Sequence, residues 1–445
     1  MQLDGEDELM RAHKLLGATA AVAALALGLT ACGGSDNPDS TTGGGGSGGG
    51  DVTLTFWHNS TTGPGKEYWD KVAADFTAAN PGIKVEVQAI QNEDMDGKLQ
   101  TALNSGDAPD IFMARGGGKL ADIVEAGQVL DITGLIDESV KTGVGPAFDA
   151  FTVDGKVYGM PTAILPGGMY YSKDLFEKAG ISATPTNFTE LAAAVEKLKA
   201  IDVAPIALGG KAAWPAAHWY YFFALRSCSK EVMDSLPATK DFSDPCWLAA
   251  ATALNDFAKT QPFNEGFLTT EAQGSAGSSA GMIADHLAGM ELMGAWNPGV
   301  IADLTPDKKP LADLGWFPFP AVDGGKGDPA AMMGGVDGYS CSAKAPAEAC
   351  GKFLNFFMSK ENQKAYATAF VTLPANQEAQ GVITDPALKD VLASYNKAPY
   401  VTVWLDTLLG QNVGNALNAG VVEMLAGSGS PEGVIKSVTD ALGKE

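Results

Sequence analysis

The hydrophobic positions after residue 50 switch repeatedly between two periods. Some stretches alternate apolar and polar residues, as in Val-Thr-Leu-Thr-Phe-Trp, which is typical of a strand. Others repeat apolar residues at helical spacing. The pattern predicts strands over 52–57, 83–90 and 110–114 and helices over 68–79 and 95–104. Strands that alternate with helices in this way predict an α/β fold with a parallel or mixed sheet and helices on both faces.

Helical patterns dominate the rest of the chain, without an internal repeat of fixed period. They predict helices over 188–200, 214–226, 245–260, 279–287, 347–359, 360–370, 386–395 and 405–425. Strand patterns occur at 157–161 and 168–172, on either side of a proline-containing link, and at 314–320. This succession favours two α/β lobes connected by more than one crossing of the chain.

Composition narrows the functional classes. The chain has 445 residues, 45% of them hydrophobic, so a sizeable core is expected and a largely disordered chain is excluded. Acidic residues outnumber basic ones by 53 to 30, which gives a formal net charge of −23. Because such a surface repels phosphate backbones, nucleic acid is not expected as a partner.

The N-terminus has the three parts of a secretory signal. Basic residues Arg11 and Lys14 precede an apolar run over 15–29, and Leu-Thr-Ala-Cys follows it. The run is too short to span a bilayer, which needs roughly 20 residues. Residues 1–31 are therefore predicted to be a signal peptide cleaved before Cys32. The acidic residues upstream of Met10 are unlike a signal peptide, so Met10 is the expected true start.

Residues 32–50 are predicted to attach the protein to the membrane. The Leu-Thr-Ala-Cys ending resembles a bacterial lipobox, whose cysteine receives acyl chains such as palmitate, and several chains hold a protein firmly. Residues 33–50 are mainly Gly, Ser, Thr, Asp and Pro and cannot bury a core, so they are expected to form a flexible tether. The expected location is the extracellular face of the cell membrane.

The other four cysteines indicate disulfides. An even number in an exported chain is typical of paired cysteines, and four allow three pairings. The short loops favour joining Cys228 to Cys246 and Cys341 to Cys350. The spacings fit no zinc motif, and with four histidines in the chain no metal site and no cofactor are expected.

Motifs for catalysis are weak. Residues 277–281 match Gly-x-Ser-x-Gly, the nucleophile motif of hydrolases, but no predicted strand precedes them. The histidine that follows, His286, is too near in the sequence to be the catalytic partner that this motif requires. Residues 92–97 resemble the start of a calcium loop, yet Leu103 stands where a bidentate Glu is needed. Paired carboxylates for glycoside hydrolysis remain an alternative, because 53 acidic residues offer many pairs.

Aromatic residues beside polar groups in turns are the clearest functional signal. Indole faces match the apolar faces of a sugar ring, while Asn, Asp, Arg and His side chains satisfy its hydroxyls. Trp69, Trp247 and Trp316 are predicted to be core residues instead. Arg115 precedes three glycines at the end of a predicted strand, where ligands of α/β proteins bind. Aromatic and polar residues suited to a sugar occur together at His58-Asn59, Trp214 and His218, Trp296-Asn297, and Trp404.

An ordered set of motifs resembles the sugar-binding proteins of bacterial ABC importers, the family 1 extracellular solute-binding lipoproteins. It spans about 51–445. The matching segments are 52–57, 76–85 (Phe-Thr-Ala-Ala-Asn-Pro-Gly-Ile-Lys-Val), 108–112 (Ala-Pro-Asp-Ile-Phe), 159–161, 170–180, 290–296 (Met-Glu-Leu-Met-Gly-Ala-Trp), 334–339 (Gly-Gly-Val-Asp-Gly-Tyr) and 349–363.

The resemblance implies a two-lobed periplasmic-binding-protein-like fold of class II, similar to maltose-binding protein, with a ligand cleft between hinged lobes. Lobe 1 would comprise 51–160 and 321–378, and lobe 2 would comprise 161–320 and 379–445. Trp214 and Trp296 would stack on the ligand, and Arg115, Glu93 and Asp337 would bind its hydroxyls. The full set of expected ligand-binding residues is His58, Asn59, Glu93, Arg115, Trp214, His218, Trp296, Asn297, Asp337 and Trp404.

The resemblance also implies a function without catalysis. A monomeric, lipid-anchored protein would capture a di- or oligosaccharide and deliver it to the permease subunits of an ABC importer. The segments Arg-Gly-Gly-Gly-Lys and Ala-Trp-Pro-Ala-Ala-His are similar to those of xylobiose and xylo-oligosaccharide binders. Two alternatives stay open: a binding protein for a non-sugar solute, and a secreted glycoside hydrolase.

Overall fold

A computed structural model describes residues 51–444, and these residues form one compact unit. The predicted signal peptide, the predicted lipidation site Cys32 and the tether lie outside the described residues. No helix within 51–444 is long and apolar enough to cross a membrane.

Strands and helices alternate along the described chain. The strands are β1 (Val52–His58), β2 (Ile83–Ala89), β3 (Ile111–Arg115), β4 (Thr152–Val153), β5 (Lys156–Val157), β6 (Met160–Ser172), β7 (Ala204–Ala207), β8 (Ala288–Gly294), β9 (Leu314–Phe317), β10 (Met332–Cys341), β11 (Leu373–Pro374) and β12 (Val401–Val403).

Six of the first ten described helices lie where the pattern predicts helices, and the other four were not predicted. The ten are α1 (Gly63–Ala79), α2 (Asn92–Ser105), α3 (Gly118–Glu125), α4 (Glu138–Val144), α5 (Lys173–Lys178), α6 (Phe188–Lys199), α7 (Trp214–Ser227), α8 (Lys230–Thr239), α9 (Pro245–Lys259) and α10 (Ser279–Ala284). The later ones are α11 (Asn297–Leu304), α12 (Ala347–Phe357), α13 (Lys360–Phe370), α14 (Pro386–Tyr395), α15 (Leu405–Leu408), α16 (Gln411–Leu425) and α17 (Pro431–Leu442).

The main sheet has the order β2-β1-β3-β10-β6-β8-β7 and mixes parallel with antiparallel pairs. β1 pairs in parallel with β2 and β3, β10 runs antiparallel to β3 and β6, and β8 is antiparallel to β6 but parallel to β7. The first part of β6 pairs with β10 and its second part with β8 and β9. β6 therefore belongs to both halves of the sheet.

Two predicted elements differ in the structure. Residues 157–161 and 168–172 were expected to be separate strands. Instead, β5 ends at Val157, and β6 runs from Met160 through the proline-containing link to Ser172, because neighbouring strands pair with it along its length. The helix predicted over 405–425 is divided into α15 and α16. Gly410 separates them with φ = +88°, a backbone conformation that interrupts a helix and that glycine adopts without steric cost.

Two large apolar cores flank the long strand. One packs α1 and α12 on β1, where Trp69 lies edge-on to Phe56 with ring centroids 5.1 Å apart. The other surrounds α7, whose residues after Trp214 are all buried. The three tryptophans predicted to be core residues, Trp69, Trp247 and Trp316, are at most 5% exposed, which confirms that prediction.

The four cysteines form the local pairs that the short loops favour. Cys228 is joined to Cys246, which links the end of α7 to the start of α9. Cys341 is joined to Cys350, which links the end of β10 to α12. Each bond thus connects two elements of the same core.

Candidate functional site

Four of the predicted ligand-binding residues form one aromatic cluster. The His218 ring stacks on the Trp404 indole with centroids 4.2 Å apart and planes inclined by 8°. The centroid of the Trp296 indole lies 6.2 Å from that of Trp404, 6.3 Å from that of His218 and 5.9 Å from that of Trp214, and all three pairs are edge-to-face. These residues come from three separate segments of the sequence, and the fold brings them together.

Each ring is held by the end of an element. Trp214 and His218 are one turn apart at the start of α7, so they share a helix face. Trp296 follows β8 after one residue, and Trp404 directly follows β12. The approach of the indoles requires glycine at Gly294 and Gly167, because a Cβ there would lie 2.0 Å from the Trp296 ring and 2.5 Å from the Trp404 ring.

The cluster combines accessible faces with unsatisfied polar atoms. Trp214 and Trp296 are half-buried, whereas His218 and Trp404 are buried. Burial lowers the pKa of His218 to about 4, so the imidazole is neutral at pH 7. His218 Nδ1 and Trp214 Nε1 are buried without a hydrogen-bond partner among residues 51–444. A polar molecule bound beside them could satisfy both atoms.

A network of charged side chains is built around Arg115 at the end of β3. The guanidinium donates to Asn92 Oδ1 at 3.0 Å and to Asp96 Oδ1 at 3.3 Å, and it lies 3.6 Å from Asp337 Oδ1. β10 supplies Asp337 directly opposite Arg115 in the sheet register. Lys119 from α3 extends the network, because its Nζ lies 3.0 Å from the second oxygen of Asp96.

The two carboxyl groups of this network have pKa values shifted in opposite directions. Burial opposes ionisation of Asp96, but Arg115 and Lys119 together hold the pKa of that carboxyl well below its usual range. Burial raises the pKa of Asp337, and the charge of Arg115 only partly offsets this effect. Hydrogen-bonding groups fixed in this way bind hydroxyls with little reorganisation.

The charged network meets the aromatic cluster at residues 404–406. Lys119 Nζ lies 3.9 Å from Asp406 Oδ2, and Asp406 is two residues after Trp404. The charge of Asp406 also acts on His218, since it partly opposes the lowering of the histidine pKa by burial. Stacking surfaces and hydrogen-bonding groups therefore adjoin each other, which is the arrangement a carbohydrate requires.

The other predicted residues occupy different surroundings. Asn59 donates to Asn92 Oδ1 at 3.2 Å and so adjoins the Arg115 network. Glu93 Oε1 accepts from Gln273 Nε2 at 3.3 Å, a contact between residues 180 positions apart in the sequence. His58 is fully buried, with its ring 6.0 Å from Trp69 and its pKa lowered by burial to about 4. It therefore borders the core of the first half of the sheet.

Asn297 is buried and donates to Glu291 Oε2 at 2.7 Å. Glu291 itself is fully buried on β8, and burial raises its pKa to about 7. The pair fixes the start of α11, immediately after Trp296. In this structure Asn297 acts on the aromatic cluster by holding the backbone that carries Trp296.

Sequence reasoning missed several residues of the network: Asn92, Asp96, Lys119 and Asp406. In the sequence, Asn92 and Asp96 stand out only as part of a calcium-loop motif that lacks its bidentate Glu, and Lys119 only as the end of Arg-Gly-Gly-Gly-Lys. A helical reading of α2 would place Asn92 and Asp96 one turn apart on one face, which is the signal that could have found them. Asp406 carries no local signal.

Comparisons with known proteins agree with this architecture. Residues 59–364, well over half of the chain, match the family described as bacterial extracellular solute-binding protein. A binding protein of Brucella abortus is 32% identical over 209 residues, which cover 46% of this chain and 50% of that relative. The match thus spans about half the length of that curated relative.

Two solved structures extend the similarity over most of the chain. One, described in work on xylan utilization by the thermophilic bacterium Caldanaerobius polysaccharolyticus, has a TM-score of 0.79 and 26% identity and covers 87% of this chain and all of its own. The other, a chitin oligosaccharide binding protein, has a TM-score of 0.78 and 26% identity and covers 88% of this chain and 98% of its own. The predicted α/β, two-lobed binding-protein fold is confirmed. The chain belongs to the bacterial extracellular solute-binding protein family.

Proposed function

We propose that this protein captures a di- or oligosaccharide outside the cell and delivers it to the permease subunits of an ABC importer. The observation that carries the proposal is the junction of the aromatic cluster with the charged network at Trp404 and Asp406. A cluster of indoles alone could be core packing. Ordered carboxylates, a guanidinium and an ammonium beside half-buried indoles favour a ligand that is both apolar and rich in hydroxyls.

Trp214 and Trp296 are the proposed stacking surfaces, because they are the two cluster residues that are not fully buried. Arg115, Asp337 and Glu93 are the proposed hydroxyl-binding groups, with Lys119, Asp96 and Asp406 as further candidates. Several stacking surfaces favour more than one sugar ring. The two similar solved structures, from work on xylan utilization and on a chitin oligosaccharide binder, support an oligosaccharide, and a xylo-oligosaccharide is the specific candidate.

The proposed mechanism is conformational and involves no catalytic step. A ligand that contacts both lobes binds the closed form better than the open form, so it shifts the population toward closure by that difference in affinity. The Gln273–Glu93 contact would help to hold the closed form, since it joins segments far apart in sequence. With the lobe boundaries predicted above, Glu93 belongs to lobe 1 and Gln273 to lobe 2.

The proposed location is the outer face of the cell membrane, with the lipid-bearing Cys32 as anchor and residues 33–50 as tether. Mass spectrometry of the purified native protein tests this part. The expected result is an N-terminal peptide that begins at an acylated Cys32. An unmodified Cys32 would refute the anchor without affecting the ligand assignment.

A thermal-shift screen tests the ligand class. A ligand that binds only the folded state increases the free energy of unfolding by RT ln(1 + [L]/Kd), which is about 2.7 kcal/mol at a hundredfold excess over Kd. The melting temperature rises as a result. Xylo- and chito-oligosaccharides of two to six units are compared with the monosaccharides, peptides and glycerol phosphates. A shift with one oligosaccharide series alone is expected. A shift with peptides or phosphates only would refute the proposal, and slow hydrolysis of a bound oligosaccharide would favour a glycoside hydrolase.

A further inference from the structure

We propose that Asp174, His286 and Asp313 form a binding site for a divalent transition-metal ion of the Zn²⁺ type. One ligand atom of each residue lies within 4.8 Å of the other two. The site does not depend on the proposed sugar function, because none of its residues belongs to the aromatic cluster or the charged network.

The fold brings these three residues together from separate segments. Asp174 lies in the first turn of α5, His286 in the turn between α10 and β8, and Asp313 immediately before β9. β6 ends where β8 and β9 begin, since it is antiparallel to both. The three side chains therefore meet at one end of these strands.

This end is remote from the proposed sugar site. Ser172, at the end of β6, pairs with Leu314, whereas Gly167 pairs with Gly294 next to the aromatic cluster. About five residues of extended strand separate the two positions, which corresponds to about 17 Å. Occupation of one site can therefore be measured without direct interference from the other.

The distances suit a small cation. His286 Nε2 lies 3.0 Å from Asp313 Oδ1. Two tetrahedral ligands that each bind Zn²⁺ at roughly 2.0–2.1 Å are about 3.3 Å apart, so a small movement brings these atoms to the required spacing. Asp174 is exposed, and rotation of its side chain can bring its carboxylate toward the other two atoms.

Neighbouring groups hold Asp313 in place. Ser172 Oγ donates to Asp313 Oδ2 at 2.5 Å, and the backbone N–H of Asp174 approaches the same oxygen at 3.4 Å. These bonds leave Asp313 Oδ1 directed to His286. Hydrogen bonds that orient a ligating carboxylate are characteristic of metal sites, where they fix the ligand and tune its basicity.

The donor set selects the class of ion. One imidazole nitrogen with two carboxylate oxygens suits Zn²⁺ and its transition-metal neighbours, whereas Ca²⁺ and Mg²⁺ prefer oxygen ligands in larger number. Three protein ligands leave the fourth tetrahedral position for a water molecule, which is consistent with the partial exposure of the site. Such an ion would cross-link three segments of the second half of the sheet.

The alternative is a hydrogen bond or ion pair between His286 and Asp313 that binds no metal ion, and titration with Zn²⁺ distinguishes the two. The sequence prediction that the chain has no metal site rested on cysteine spacing and the small number of histidines, and neither bears on this triad.

Titration calorimetry of the chelator-treated protein with ZnCl₂ at pH 7.5 tests the proposal. Binding of one equivalent is expected, with no comparable binding of MgCl₂. Co²⁺ should give the visible absorption of a four-coordinate site. Asp174→Asn and His286→Asn should each weaken Zn²⁺ binding at least tenfold. Asn is chosen at His286 because it tolerates the positive φ of +55° at that position.

Asp307→Asn is the matched control, since this exposed carboxylate lies outside the triad and should leave Zn²⁺ binding unchanged. The melting temperature without metal shows whether each variant is folded, and the exposed Asp174 provides a variant that should fold normally. Oligosaccharide binding should be the same in all variants. Absence of Zn²⁺ binding, or equal binding by Asp174→Asn and the original protein, would overturn the proposal.

Discussion

Trp296→Ala gives the most direct test of the proposed ligand site. The indole is half-buried and lies in edge-to-face orientations to Trp214, His218 and Trp404, so part of its surface remains exposed to a ligand. A ligand that covers about 80 Å² of the apolar surface of this indole gains about 2 kcal/mol of binding free energy, at about 25 cal/mol per Å². That loss corresponds to an increase of about 30-fold in Kd. Trp296→Phe, which keeps a smaller ring, should lose about half of this free energy.

The assay is titration calorimetry with the oligosaccharide that gives the largest thermal shift. Trp296 also packs against buried residues of three cores, so the melting temperature of each variant is measured and the titration is done well below it. Tyr395→Ala, at another half-buried aromatic residue at the end of α14, is the control and should bind normally. An unchanged Kd for folded Trp296→Ala would remove Trp296 from the ligand site and refute the stacking argument.

Three further predictions concern the charged network, the buried acid and the disulfides. Arg115→Met should raise the oligosaccharide Kd at least tenfold, because the substitution leaves the Asp96 and Asp337 carboxylates without the guanidinium that pairs with them. Titration calorimetry measures this Kd, and an unchanged value would exclude the charged network from the ligand site. Burial raises the pKa of Glu291 from 4.5 to about 7. Between these two pH values the folded protein binds more protons than the unfolded chain does, so the free energy of unfolding should fall by on the order of 3 kcal/mol as the pH rises from 4.5 to above 7. Urea unfolding at pH 4.5 and 8 should show this loss, Glu291→Gln should reduce it, and identical pH dependence in the two proteins would contradict the assignment. Replacing Cys341 and Cys350 by Ser should lower the free energy of unfolding by about 2–4 kcal/mol in urea, and no change would show that this bond does not constrain the unfolded chain.

The positions of many elements could be predicted from local pattern. β1, α1, β2, α6 and α7 begin and end within a few residues of their predicted bounds, because alternation and helical spacing are properties of neighbouring residues. The core role of Trp69 followed from the same periodicity. The continuity of β6 could not be predicted in this way, since the prolines at 161 and 166 suggest a break in the strand when its neighbours are unknown.

The aromatic residues of the candidate site could be proposed from the sequence because rings next to turn residues are visible there, but the surroundings of these residues could not. Nothing near Asp406 in the chain indicates that it approaches Lys119, and nothing near Asn297 indicates that it binds a buried Glu291. Asp174, His286 and Asp313 meet only because β6, β8 and β9 are antiparallel. Local periodicity is enough to predict many of the elements and the kinds of side chain at their ends. Which of these ends adjoin depends on strand pairing and helix packing, and these join residues far apart in the chain.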